Sequence, residues 1–265
     1  MNKITIKKLK EYKAQQQKFA VLTAYDASFS RTMESCEIDA ILVGDSLGNV
    51  VQGHNTTVPV TMSDMCYHTR CVSRSNQHSF IIADLPYMAY STPEQTLENA
   101  TQLMQAGAHM VKLEGGDWLL ETVAMLTERG IPVCGHLGLT PQSVNAIGAF
   151  QVQGKTSEEA EQLMNEAINL TNAGISLLVL ECVPSSLGKK VTESLSIPTI
   201  GIGAGSDTDA QVLVIYDILG ISPGRPPKFV KNFLEESGSI SGAISAYKSA
   251  VEHQTFPDTA HQFLS

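Results

Sequence analysis

The chain lacks any apolar run long enough to cross a membrane as a helix, and it has no cysteine pair at metal-ligand spacing. The five cysteines (Cys36, Cys66, Cys71, Cys134, Cys182) are odd in number, which predicts buried, reduced thiols in a cytoplasmic protein. Positive charge is also scarce. With 18 Lys and Arg against 27 Asp and Glu, the net charge of −9 excludes nucleic acid or an anionic membrane as the main partner. A small anionic substrate is not excluded, because it responds to the local field of its pocket. No Gly-, Ser- or Pro-rich break divides the chain, and no sequence repeat is present. One domain over 1–265 is expected, near the usual length of a (β/α)8 barrel. The basic N-terminus (Lys3, Lys7, Lys8, Lys10, Lys13, Lys18) has no apolar stretch or cleavage site of a secretory signal. It predicts a helix over about 3–17 that closes the bottom of the barrel.

Four short apolar runs are present, and each ends in a carboxylate. They are Ala40-Ile41-Leu42-Val43-Gly44 into Asp45, Phe80-Ile81-Ile82-Ala83 into Asp84, Met110-Val111-Lys112-Leu113 into Glu114, and Leu177-Leu178-Val179-Leu180 into Glu181. Near-continuous apolar runs of this length fit parallel strands buried on both faces. The first three acids follow one another at about one strand–helix–strand unit. In a single parallel sheet all four would sit at its C-terminal edge, where barrel chemistry is built. Acids so clustered repel one another unless a cation is present or protons are shared. A divalent metal site with a spare base is the leading reading. A cap for the following helix would account for one or two of the acids, but not easily for four.

Strand and helix signals alternate from Phe19 onward. Strands are predicted over 19–24, 133–137 and 198–202 besides the four above, with helices over 27–36, 61–76, 117–128 and 184–195. Thr92 as N-cap before Pro93, and Thr156 with Glu159 as a capping box, mark two further helix starts. The polar segment 46–59 is long for a loop and reads as a lid over the acidic edge. Segment 211–219 fits strand eight or an apolar helix, its β-branched content favouring strand. Pro226 and Pro227 open a C-terminal helical region over about 227–252.

Lys112 shares a strand face with Glu114, two residues on, so both face the barrel interior if Glu114 does. The carboxylates offset its burial. Held between them it stays protonated, which suits a substrate carboxylate or a structural ion pair and not Schiff-base chemistry. His136, at a strand end among glycines, fits a site role and a structural one equally; His54, His68, His78 and His109 show no partner spacing. Alternation points Cys182 away from Glu181 and so away from catalysis. Gly201-Ile202-Gly203-Ala204-Gly205 misses the dinucleotide spacing and reads as a strand end open to close approach.

Six ordered blocks resemble the ketopantoate hydroxymethyltransferase family. They are Val43-Gly44-Asp45-Ser46-Leu47-Gly48, Ala83-Asp84-Leu85-Pro86-Tyr87, Lys112-Leu113-Glu114-Gly115, Gly135-His136-Leu137-Gly138-Leu139-Thr140-Pro141-Gln142, Leu180-Glu181-Cys182-Val183-Pro184 and Ile200-Gly201-Ile202-Gly203-Ala204-Gly205. The likeness runs from about Phe19 to Phe233, with Tyr87 and Asn49 as mild departures. It implies a (β/α)8 TIM barrel of the phosphoenolpyruvate mutase/isocitrate lyase type, assembled as a homodecamer. It implies transfer of a hydroxymethyl group from 5,10-methylenetetrahydrofolate to 3-methyl-2-oxobutanoate, giving 2-dehydropantoate for pantothenate synthesis, with Mg2+. It further implies Asp45, Asp84 and Glu114 at the metal, Asp45, Ser46, Asp84 and Lys112 at the oxo acid, and Glu181 as proton acceptor. Two alternatives stay open: another Mg2+-dependent carbon–carbon lyase or mutase of small 2-oxo acids, and a non-catalytic barrel that binds them.

Overall fold

The computed structural model describes residues 3–148, 151–222 and 224–264. Eight strands close into a barrel in sequence order: β1 Phe19–Thr23, β2 Ala40–Val43, β3 Phe80–Asp84, β4 Met110–Lys112, β5 Val133–Gly138, β6 Leu177–Glu181, β7 Thr199–Ile202 and β8 Ala210–Leu213. All pairings are parallel, and β8 returns to β1 with Phe19 opposite Ala210 and Leu22 opposite Leu213. Strands buried on both faces need apolar residues at every position, which accounts for the unbroken runs in the sequence.

Alternation divides each strand between two cores. Phe19, Val21, Ala40, Leu42, Phe80, Ile82, Met110, Cys134, Leu177, Val179, Ile200, Ala210 and Val212 fill the barrel interior. Their neighbours pack outward beneath the surrounding helices. The helix Ile6–Ala14, capped by Thr5, sends Leu9 and Tyr12 into the bottom of the interior core. It plugs that end, as its sequence leads one to expect.

The predicted helix starts are present with their caps. Thr61 and Thr156 each form a reciprocal capping box, with Asp64 and Glu159 respectively, and Thr92 caps the helix that opens with Pro93. Segment 211–219 is neither wholly strand nor wholly helix. It is β8 followed by one helical turn, Ile215–Ile218, the break falling where the Ile215 N–H donates to Thr23 Oγ1 of β1 (3.0 Å). The C-terminal helices begin later than expected, at Leu234–Ser237 and Ile240–Glu252, rather than at 227. The chain makes a turn there instead, with the Val230 N–H donating to the Pro227 carbonyl. After β5 a short helical turn, Val144–Ile147, precedes residues 149–150, which lie outside the described residues.

Candidate active site

The inward positions that are apolar at the bottom of the barrel become charged at its top. Continuing the alternation of β3 through Phe80 and Ile82 brings Asp84 inward; β4 brings Lys112 and then Glu114; β5 brings His136; β6 brings Glu181. Asp45 arrives differently. The inward position of β2 falls on Gly44, where a Cβ would stand 2.8 Å from Ser46 Oγ. The chain turns there, and Asp45 and Ser46 enter the site from the turn. Six predicted residues, Asp45, Asp84, Lys112, Glu114, His136 and Glu181, line one cavity of about 410 Å³, with Ser46 at its wall.

Contacts within this group are direct. Lys112 Nζ lies 2.9 Å from Asp84 Oδ1 and 3.5 Å from Glu114 Oε1. His136 bridges two acids, with Nδ1 3.2 Å from Glu114 Oε1 and Nε2 3.3 Å from Glu181 Oε2. The second contact lacks the alignment of a full hydrogen bond. The Asp45 N–H donates to Asp84 Oδ2 at 3.1 Å.

Burial sets the electrostatics. It pushes the Asp45 carboxyl well above the usual range, and repulsion from Asp84 and Glu114 adds to the rise. Burial also raises Asp84, although Lys112 opposes it. Glu114 goes the other way: burial would raise it, yet His136 and Lys112 hold it down at about 2. Burial alone would deprotonate His136 and Lys112, and Lys112 further disfavours charge on His136. The carboxylates outweigh this, raising His136 to about 9 and Lys112 well above its ordinary value. Lys112 is therefore a fixed cation and a poor nucleophile.

These charges give a test of whether a divalent cation fits. Asp45, Asp84, Glu114 and Glu181 face one ammonium and one imidazolium, which leaves two negative charges when all the acids are ionised. Asp84 Oδ1 is buried and, although close to Lys112, has no aligned hydrogen-bond donor. Asp45 Oδ1 accepts no hydrogen bond among the described residues. Hard oxygen donors in this number suit Mg2+. Glu114 is different, because both its oxygens are taken: Oε1 by Lys112 and His136, Oε2 by the Gln142 N–H at 3.1 Å. Among the described residues, no three His, Cys, Asp or Glu side chains stand at the mutual spacing of a filled metal site.

Sequence reasoning passed over three residues. Tyr25 places its hydroxyl 2.9 Å from Ser46 Oγ, and Gln142 and Tyr90 form a buried network behind the acids. A glutamine or tyrosine in a loop carries no spacing signal; only the position of Gln142 within a quoted block pointed to it. Other residues prove structural. His109 Nδ1 accepts the Ile81 N–H (2.9 Å), and His68 Nδ1 bonds the Tyr25 carbonyl (2.6 Å). His54 is exposed, and Cys182 packs into the outer core. The glycines after β7 precede no helix: Gly203 and Gly205 adopt positive φ, and Gly203 leaves room for Phe229 and Phe263. Segment 46–59 begins with a helical turn, Leu47–Val50, and Asn49 and Val50 line the cavity.

Comparison with known proteins agrees with this geometry. The ketopantoate hydroxymethyltransferase family profile matches residues 3–259. A 3-methyl-2-oxobutanoate hydroxymethyltransferase of Shewanella halifaxensis (strain HAW-EB4) is 57% identical over 263 residues, covering 99% of this chain and 100% of that protein. Among solved structures, 2,3-dimethylmalate lyase, a PEP mutase/isocitrate lyase superfamily member, superposes with a TM-score of 0.58 at 16% identity, covering 78% of this chain and 80% of that one. Phosphonopyruvate hydrolase in complex with oxalate and Mg++ superposes with a TM-score of 0.61 at 11% identity, covering 80% of each chain. At such identities the two structures share the barrel alone. The profile and the full-length relative go further: the chain belongs to the ketopantoate hydroxymethyltransferase family of enzymes.

Proposed function

We propose that the protein transfers a hydroxymethyl group from 5,10-methylenetetrahydrofolate to 3-methyl-2-oxobutanoate, giving 2-dehydropantoate, with Mg2+ at the acidic end of the barrel. The observation that carries this reading is the pairing of functions in one cavity. Two carboxylates, Asp45 and Asp84, stand beside a fixed cation, Lys112, and across from a separate acid, Glu181. Asp45 and Asp84 would hold the metal, and Glu114 would support it directly or through a water. When bound, Mg2+ supplies a Lewis acid for the keto oxygen of a 2-oxo acid, making its C3 proton more acidic.

The chain's own residues do the rest. Lys112 balances the substrate carboxylate, and the Ser46 hydroxyl, held by Tyr25, orients it. Glu181 takes the C3 proton, and His136 Nε2 lies 3.3 Å from its Oε2, which fixes where that carboxylate stands. C3 then forms its new bond to the one-carbon unit, whose two bonds to folate nitrogens both break; one water supplies the hydroxyl oxygen, and the proton from C3 and one from that water end on the two nitrogens of tetrahydrofolate. Binding by simple chelation does not need a proton acceptor, so Glu181 favours catalysis over a binding-only barrel.

The oxalate and Mg++ bound by the related phosphonopyruvate hydrolase support the pairing of a dicarbonyl ligand with this metal. Assembly as a homodecamer in the cytoplasm belongs to the same reading. Among the described residues, no helix is long and apolar enough to cross a membrane. The test is to incubate the protein with Mg2+ and 3-methyl-2-oxobutanoate in D2O without folate. Loss of the C3 proton signal is expected. A signal that persists while calorimetry records substrate binding would contradict the reading.

A further inference from the structure

Gln142 is buried in the 3-10 turn Pro141–Ser143 that follows β5, and its backbone N–H and both side-chain polar atoms are in use. Its backbone N–H donates to Glu114 Oε2 at 3.1 Å. Its side-chain nitrogen donates to Asp45 Oδ2 at 2.8 Å and to the Leu85 carbonyl at 3.0 Å. Its side-chain oxygen accepts the Tyr90 hydroxyl at 2.5 Å, and that hydroxyl also lies 3.3 Å from the Glu114 carbonyl. The amide can face only one way. A backbone carbonyl and an ionised carboxylate only accept hydrogen bonds, so the NH2 must face Leu85 and Asp45, and the oxygen must face Tyr90.

We infer that Gln142, held by Tyr90, is the positioning residue that orders the Asp45 carboxylate for the cation. Three strand ends meet at this one residue: its side chain joins the turn after β2 to the chain after β3, and its backbone N–H holds Glu114 after β4. Asp45 has no strand of its own to fix it, because it enters from the turn that Gly44 permits. The Gln142 donor holds Oδ2 at 2.8 Å, which leaves Oδ1 to face the cavity. Groups that orient a metal ligand in this way contribute about 10–100-fold to metal affinity.

The inference rests on the reading that Asp45 binds Mg2+, and the test separates the two. Mg2+ is titrated calorimetrically into the metal-free protein, and activity is measured as a function of Mg2+ concentration. For Gln142→Leu, Mg2+ affinity is expected to fall by about 10–100-fold. The Mg2+ concentration for half-maximal activity should rise in step, while turnover at saturating Mg2+ approaches that of the parent protein. A purely structural glutamine would lower the melting temperature without moving the Mg2+ requirement. Tyr90→Phe keeps the ring and removes only the hydroxyl; it should shift the Mg2+ requirement in the same direction by less. It also serves as the test if Gln142→Leu does not fold. Unchanged Mg2+ affinity in a cooperatively melting Gln142→Leu protein, or in Tyr90→Phe if that alone folds, would overturn the inference. Asp45→Asn is the control. If it retains the parent affinity, the metal assignment itself falls. If it loses Mg2+ while Gln142→Leu does not, only the role of Gln142 falls.

Discussion

The two ends of this barrel are built from the same strands and the same alternation, yet they obey opposite physics. At the bottom the inward positions are Phe19, Ala40, Phe80, Met110 and Leu177, sealed by Leu9 and Tyr12 of the N-terminal helix. At the top, two or four residues along the same strands, they are Asp84, Lys112, Glu114, His136 and Glu181. The bottom buries apolar surface and needs nothing else. The top buries three carboxylates, with Glu181 half-buried beside them, and Lys112 and His136 offset part of the cost. Stability is thus concentrated at one end and chemistry at the other, within a few residues of chain.

Substitutions at the two ends should therefore fail in opposite ways. The largest effect on function is expected at Asp45. Asp45→Asn removes a charge that Asp84 and Glu114 oppose, while its amide oxygen can still accept from Gln142. Mg2+ binding should weaken by more than about 100-fold, beyond the range for a supporting residue. The metal-free protein should nonetheless melt higher, by roughly 2–4 °C for each kcal/mol regained. Parallel metal titration and thermal melting check both halves. A loss of stability together with loss of binding would erase the contrast between the ends.

Leu9→Ala at the bottom should do the reverse. Leu9 is fully buried, so the truncation should cost about 2–5 kcal/mol of unfolding free energy in denaturant. Turnover per folded molecule should stay near that of the parent. A fall in turnover without a fall in stability would show that the plug communicates with the site.

Much of this division was legible in the sequence, and the reasons are physical. Strands buried on both faces leave unbroken apolar runs, and a period of two then fixes which of Lys112, Leu113 and Glu114 turns inward. Thr92 and Thr156 announced their helices through local bonds to residues three positions on. What escaped depended on distant partners. The end of β8 is set by Thr23, far away in the chain, and the apolar segment around it looks the same on either side of the break. Gln142 meets Asp45, Leu85 and Tyr90 only after the barrel closes. Asp45 is the instructive middle case: its place at the active edge was predictable, but its entry through the Gly44 turn was not.

The central claim is that the charged end performs proton transfer at C3 with Glu181 as the base. The direct measurement is C3 deuterium exchange of 3-methyl-2-oxobutanoate by Glu181→Gln with Mg2+ in D2O, with calorimetric substrate binding and thermal melting on the same preparation. The substitution keeps the shape of the side chain and removes its proton-accepting capacity, while Asp45, Asp84 and Lys112, the proposed metal and substrate residues, stay in place. Binding and melting should stay close to those of the parent, and exchange should fall by roughly 10²–10⁴-fold. Exchange near the parent rate in a well-folded Glu181→Gln protein would contradict the account and move the base to another residue, with His136 the nearest.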